Sequence, residues 1–130
     1  RDKLIQEHCG NMAEQLQLNT KDLSLPVSSL SGGNQQKVAI GKWLLSESRI
    51  MILDEPTRGV DVGAKVEIYN FINKMVEEGI GVIMISSELP EILGMSDRII
   101  VMHEGRITGQ LSRNVATQEM LLKYATGQEV

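Results

Sequence analysis

Two groups of residues in this chain have types and spacing suited to phosphate chemistry. The first is Leu30-Ser31-Gly32-Gly33-Asn34-Gln35-Gln36, a glycine-rich turn running into a helix-forming segment. A helix start presents backbone N–H groups without intrahelical partners and the positive end of the helix dipole, which together suit a phosphate. The Ser31 hydroxyl adds a donor, and Gly32 and Gly33 permit close approach of the backbone. The second is Ile50-Met51-Ile52-Leu53-Asp54-Glu55-Pro56, four apolar residues ending in two acids. Acids where a buried strand surfaces suit Mg²⁺ and a water nucleophile. Successive side chains of a strand face opposite ways, so Asp54 and Glu55 are expected to have separate roles.

Taken singly, each motif has a plainer explanation. Ser-Gly-Gly alone is a flexible turn before a capped helix, and paired acids alone are a solvated strand end. It is the conjunction, in this order and this close together, that favours phosphate chemistry. Other residues carry no functional reading. His8 and His103 have no His or Cys at metal-ligating spacing, the seven methionines fit core filling, and Glu77-Glu78 reads as a solvated helix end.

The elements that must position these residues follow from periodicity and punctuation. Residues 3–18 place Leu4, Ile5, Cys9, Met12 and Leu16 at helical spacing, with Asn19 as a stop. Residues 20–30 read as a loop. Ser31 is the N-cap of a helix through about Ser46, with Val38, Trp43 and Leu45 among its apolar positions. Ile50–Leu53 and Val82–Ile85 are continuous apolar runs of the kind found in buried parallel strands. Between them Asp61 caps a helix whose face is Ala64, Ile68, Phe71, Ile72 and Met75, and Gly79 stops it. A short helix over about 90–94 precedes a hairpin of Ile99–Met102 and Ile107–Leu111 about Glu104-Gly105, and Thr117 caps a last helix. This alternation predicts an α/β fold, a mostly parallel sheet with an appended C-terminal hairpin.

Composition narrows the function classes. At 130 residues, 42% hydrophobic and 23% charged, the chain suits one globular unit with a modest core. A net charge of −4 offers no broad basic face for nucleic acid, and 3% aromatics offer no base-stacking platform. The single Cys9 excludes an internal disulfide and fits a reducing compartment. No apolar run approaches the roughly 18 residues of a membrane span.

Both phrases resemble the ABC-type ATPase cassette: its LSGGQ signature, here with Asn34 ahead of Gln35, and its Walker B strand. The resemblance assigns Asp54 to the Mg²⁺ shell and Glu55 to polarising the attacking water. It assigns Ser31, Gly32, Gly33 and Gln35 to ATP, bound in trans, since such cassettes pair head to tail. Gly59-Val60-Asp61 matches the D-loop, so Asp61 is expected both to face nucleotide and to cap its helix. Val82 to Glu88 matches the segment that usually ends in a switch histidine, and Ser87 stands in that place. A serine still donates a hydrogen bond, but it carries no charge and reaches less far than imidazole. The site containing Ser87 is therefore expected to turn over slowly or not at all.

Several longer phrases narrow the resemblance to one subfamily. Ser31 to Lys37, Asp54 to Ala64, Ser86-Ser87-Glu88-Leu89-Pro90-Glu91 and Met95 to Gly105 resemble ATP-binding subunits of bacterial monosaccharide importers of the ribose, xylose and galactose type, in particular their second cassette. That implies ATP and Mg²⁺ as ligands. As partners it implies membrane permease subunits, a second cassette and, indirectly, a periplasmic or lipid-anchored sugar-binding protein. The expected location is peripheral, on the cytoplasmic face of the cell membrane. No Gly-x-x-x-x-Gly-Lys-[Ser/Thr] occurs in the 130 residues. The expectation is accordingly the C-terminal part of a P-loop NTPase fold without its P-loop strand and helix, inactive by itself. Residues 1–46 would belong to the helical signature subdomain with its signature helix, and 47–130 to the RecA-like core. The competing expectation is a soluble ABC ATPase of DNA repair or translation, and a third is an inert α/β piece.

Overall fold

In a computed structural model, residues 2–20, 22–46 and 48–128 are described. They form two compact units, Arg1–Ile83 and Met84–Val130, and the expected functional division after residue 46 falls inside the first.

The first unit is organised by helix α2. Helix α1 (Asp2–Gln15) ends before the expected Asn19 stop, because Gln17 turns into the left-handed region at φ 51°. The loop beyond it contains a single 3₁₀ turn over Val27–Ser29. Within that loop Asp22 is held below its ordinary pKa by the Ser24 hydroxyl and then by the Ser24 N–H, both bonded to its Oδ1. Helix α2 (Gly32–Leu44) begins at the expected cap, Ser31. Its buried stripe is Gly33, Lys37, Ile40 and Gly41, at i, i+4, i+7 and i+8. Trp43, expected on the apolar face, is 59% exposed instead. The stripe escapes a hydropathy reading because three of its four members are glycine or lysine. Small residues let two neighbouring helices come close. A Cβ on Gly41 would stand 2.5 Å from Leu16 Cδ1 of α1, and one on Gly33 would stand 2.5 Å from Ala64 Cβ.

Strand β1 (Ile50–Asp54) leads through a turn into helix α3 (Val62–Glu77), capped by Asp61 as expected. Ile68, Ile72 and Met75 of α3 are buried, with Leu16, Ile40, Met51 and Leu53 also in the core of this unit. Each such side chain contributes about 1.5–3 kcal/mol on burial. Gly79, at φ 89°, ends α3, and the Ile80 N–H reaches back to the Met75 carbonyl at 3.0 Å. Strand β2 (Gly81–Ile85) pairs with β1 in a small parallel sheet. The strands are not buried on both faces, as their continuous apolar runs predict. Met51 and Leu53 are covered, whereas Ile50 and Ile52 are 66% and 67% exposed. Only one face of β1 is covered.

In the second unit, helix α4 (Leu89–Met95) is followed by an antiparallel hairpin of β3 (Arg98–His103) and β4 (Arg106–Ser112). Glu104 and Gly105 both have positive φ, 48° and 77°, as a two-residue primed turn requires. Helix α5 (Gln118–Ala125), capped by Thr117, closes over the hairpin, and Ile99, Leu111 and Leu121 form the core with Leu89, Ile92 and Tyr124 around them.

Candidate functional site: a signature turn beside a capped helix

The starts of α2 and α3 lie side by side. Ser31, Gly33, Asn34 and Lys37 of the first share a recess of about 240 Å³ with Asp61, Gly63, Ala64 and Glu67 of the second. Each helix is capped in the same way. Ser31 Oγ accepts from the Asn34 N–H at 3.4 Å, and Asp61 Oδ1 accepts from the Ala64 N–H at 3.0 Å. Two helix N-termini thus direct their positive ends to one region. The approach is close: a Cβ on Gly32 would lie 3.5 Å from the Gly59 carbonyl oxygen, and one on Gly33 would lie 3.8 Å from Val60 Cγ1. Glycine at position 33 is demanded by packing on Ala64, whatever approaches from outside.

Polar side chains around the recess are tied down. Lys37, only 5% exposed, donates from Nζ to the Gln17 carbonyl at 3.0 Å and forms an ion pair with Glu67 of α3. One ammonium thereby joins the end of α1, the signature helix and α3. Sequence reading assigned Lys37 no role. The available signal was its position one turn after Gly33, in the same buried stripe. Asn34 was singled out only as an insertion. Its Oδ1 accepts from the Asn19 N–H at 3.3 Å and its Nδ2 donates to Ser31 Oγ at 3.1 Å. Gln35 does not project freely, because its Nε2 donates to the Leu30 carbonyl at 2.8 Å.

The two acids lie at the other end of the same loop and do not line this recess. Asp54 is the last residue of β1 and is exposed. Glu55 has already left the strand, with φ 47° in the left-handed region that non-glycine residues seldom adopt. Its carbonyl accepts from the Arg58 N–H at 3.1 Å, which closes a turn with Pro56 in its second place. The expected divergence of Asp54 and Glu55 by strand alternation is therefore replaced by a sharp backbone turn, which sets the second acid apart. Such a conformation costs on the order of 1–3 kcal/mol and persists only where its surroundings impose it. Pro56 and Thr57 behind it are buried, Thr57 almost completely.

Ser87 belongs to the second unit. It is exposed, in the bend between β2 and α4, and the neighbouring Ser86 Oγ accepts from the Glu88 N–H at 3.0 Å.

Comparison with known proteins agrees with the motifs. Residues 3–58 match the family model described as ABC transporter. The chain is 60% identical over 116 residues to the ribose import ATP-binding protein RbsA of Oceanobacillus iheyensis, covering 89% of this chain and 23% of that protein. It is 58% identical over 116 residues to the xylose import ATP-binding protein XylG of Geobacillus kaustophilus, with the same two coverages. In structure it matches the ADP conformation of the ATP-binding cassette MJ1267, with a TM-score of 0.76 and 26% identity over 94% of this chain and 50% of that one. This chain is a stretch of an ABC-type ATPase cassette. A dimeric cassette, MJ0796 bound to ADP and Pi, shares the fold at a TM-score of 0.77 and 22% identity, covering 87% of this chain and 49% of that one. The stretch spans about a quarter of the length of the curated relatives it matches.

The acids of this cassette stretch suit the cation that accompanies a nucleotide. Among the described residues no three His, Cys, Asp or Glu side chains are grouped to hold a metal. Mg²⁺ needs no such cage, since it is usually held by one or two carboxylates, substrate phosphates and waters. An exposed Asp54 at a strand end meets that requirement.

Proposed function

We propose that the chain is part of the ATP-hydrolysing subunit of a monosaccharide importer. The observation that carries this reading is the identity of 52–60% to sugar-import ATP-binding proteins, among them a putative ribose/galactose/methyl galactoside import ATP-binding protein of Pseudomonas syringae matched over all of this chain and 25% of its own length. In this reading the signature turn acts as a clamp. Ser31, Gly32, Gly33 and Gln35 hold the terminal phosphate of an ATP bound by a partner cassette, with Asp61 beside them. Asp54 belongs to the Mg²⁺ shell of this cassette's own nucleotide, where the ion would neutralise phosphate charge. Glu55 orients and polarises the attacking water, a role worth about 10²–10⁴-fold in rate. Ser87 stands in place of the switch histidine. Residues 1–46 are assigned to the signature subdomain and 47–130 to the ATPase core.

No helix among the described residues is long and apolar enough to cross a membrane. The proposed partners, drawn from the import names of the relatives, are permease subunits that hold the ATPase at the cytoplasmic face of the membrane, a second cassette, and a sugar-binding protein acting through the permease. The test is reconstitution of the full-length subunit with its permease in vesicles. Sugar-stimulated ATP hydrolysis and ATP-dependent uptake are expected. Co-purification with ribosomes or DNA, without a permease, would overturn the reading in favour of a soluble ABC ATPase.

A further inference from the structure

The hydrogen bonds of Asn34 determine which way the Ser31 proton points. The Asn19 backbone N–H can only donate, so the Asn34 amide atom facing it, at 3.3 Å, is the oxygen. The other end of that amide, at 3.1 Å from Ser31 Oγ, is then the NH₂ group, which can only donate. The Asn34 backbone N–H, 3.4 Å from the same oxygen, also can only donate. A hydroxyl has two acceptor positions and one proton. Both acceptor positions of Ser31 are taken from within the chain, and the proton is directed away from Asn34.

We infer that Asn34 is a positioning residue that presents Ser31 as a hydrogen-bond donor to an acceptor-only group, the terminal phosphate of a nucleotide. This rests on the clamp described under Proposed function and adds to it the preparation of its serine. An unconstrained hydroxyl must give up its alternative rotamers when a phosphate arrives. Here that ordering is complete beforehand, which is the general advantage of a preorganised site. Asn34 touches no ligand in this scheme and acts through Ser31 alone.

The experiment uses the assembled transporter containing the full-length subunit, titrated with the non-hydrolysable analogue AMP-PNP and, separately, with ADP. Ser31→Ala is expected to weaken AMP-PNP binding about tenfold by removing a bond to a charged group. Asn34→Ala is expected to weaken it about fivefold by loss of preorganisation. ADP lacks the terminal phosphate, so its affinity should change less than about twofold in either variant. Added to Ser31→Ala, the Asn34→Ala change should have almost no further effect, since its route is already cut. Asn34→Asp keeps an acceptor for the Asn19 N–H but must accept the Ser31 proton, turning it inward. It should lose at least as much AMP-PNP affinity as Asn34→Ala. Equal losses for AMP-PNP and ADP, or multiplying effects of the Ser31 and Asn34 changes, would overturn the inference and leave the clamp intact. A parent transporter in which Ser31→Ala leaves AMP-PNP affinity unchanged would instead remove the clamp itself.

Discussion

Gly33 of α2 and Ala64 of α3 are so close that a Cβ on the glycine would lie 2.5 Å from the alanine Cβ. That distance separates two jobs that a signature glycine can have. Gly33→Ala forces α2 and α3 apart and should destabilise the protein by about 1–3 kcal/mol. Gly32→Ala meets only the Gly59 carbonyl oxygen, at 3.5 Å, and should leave stability within about 0.5 kcal/mol of the parent. Chemical denaturation of both variants checks this. In the full-length subunit, loss of ATPase activity in Gly32→Ala would then report on the proposed clamp, whereas loss in Gly33→Ala would report on packing as well.

The ion pair one turn further along is asymmetric. The Lys37 side chain is 6% exposed and that of Glu67 is 50% exposed. Glu67→Leu leaves a buried ammonium held by the Gln17 carbonyl without its carboxylate, and an uncompensated buried charge is expensive. Lys37→Met keeps the aliphatic stem in place and leaves a half-exposed carboxylate that water can solvate. Glu67→Leu should therefore be the more destabilising by about 1 kcal/mol or more. Thermal melts of the two variants decide the order, and the reverse order would mean that the lysine stem matters more than its charge.

The hairpin turn offers a change far from any proposed chemistry. Glu104 occupies the left-handed region at φ 48° ahead of Gly105. Asparagine tolerates that region better than glutamate, and Asn-Gly is the preferred pair for this turn type. Glu104→Asn should stabilise the protein by about 0.5–1 kcal/mol and leave the ATPase activity proposed for the full-length subunit unchanged. An unchanged or lowered denaturation midpoint would contradict it.

Legibility in the sequence followed the strength of local rules. Ser31, Asp61 and Thr117 were readable as caps because a short polar side chain before an amphipathic run has one favourable use, and all three accept the predicted N–H. The Glu104-Gly105 turn was readable for the same reason. Burial was less so. Ile50 and Ile52 read as core from composition, but burial depends on what covers the second face of β1, a non-local matter. The Gly33-Lys37-Ile40-Gly41 stripe was hidden because close helix packing selects for small residues and a long lysine stem as readily as for apolar ones. Within the site, the residue types of Asp54 and Glu55 were evident and their separation was not. It comes from a positive φ at Glu55, a backbone state that strand alternation does not anticipate.

The two acids give distinguishable variants in the full-length subunit. Glu55→Gln keeps shape and removes basicity, so nucleotide should still bind at this cassette's own site while hydrolysis there falls about 10²-fold or more. Asp54→Asn removes a charge from the proposed Mg²⁺ shell and should weaken the Mg²⁺ dependence of binding. Nucleotide titrations with and without Mg²⁺ separate them, and the same loss of affinity in both variants would contradict the division of roles.

The last expectation concerns which of two paired sites drives transport. If cassettes pair head to tail, as proposed, Asp54, Glu55 and Ser87 serve one nucleotide and Ser31, Gly32 and Gln35 serve the other. The first site has a serine in the switch position, exposed in the bend after β2, without the reach or charge of a histidine. The second has a signature turn whose cap, packing and amide contacts are all in place. The productive site is then the one this chain clamps in trans. Ser31→Ala is the appropriate probe, because a Gly33 substitution would disturb α3 as well. It should lower steady-state ATPase and sugar uptake of the assembled transporter about tenfold, the scale of one bond to a charged phosphate. Glu55→Gln should lower them less than about twofold, since it acts at a site already slow. Should Glu55→Gln prove the more damaging, this cassette's own site is the catalytic one and Ser87 is an adequate substitute for histidine.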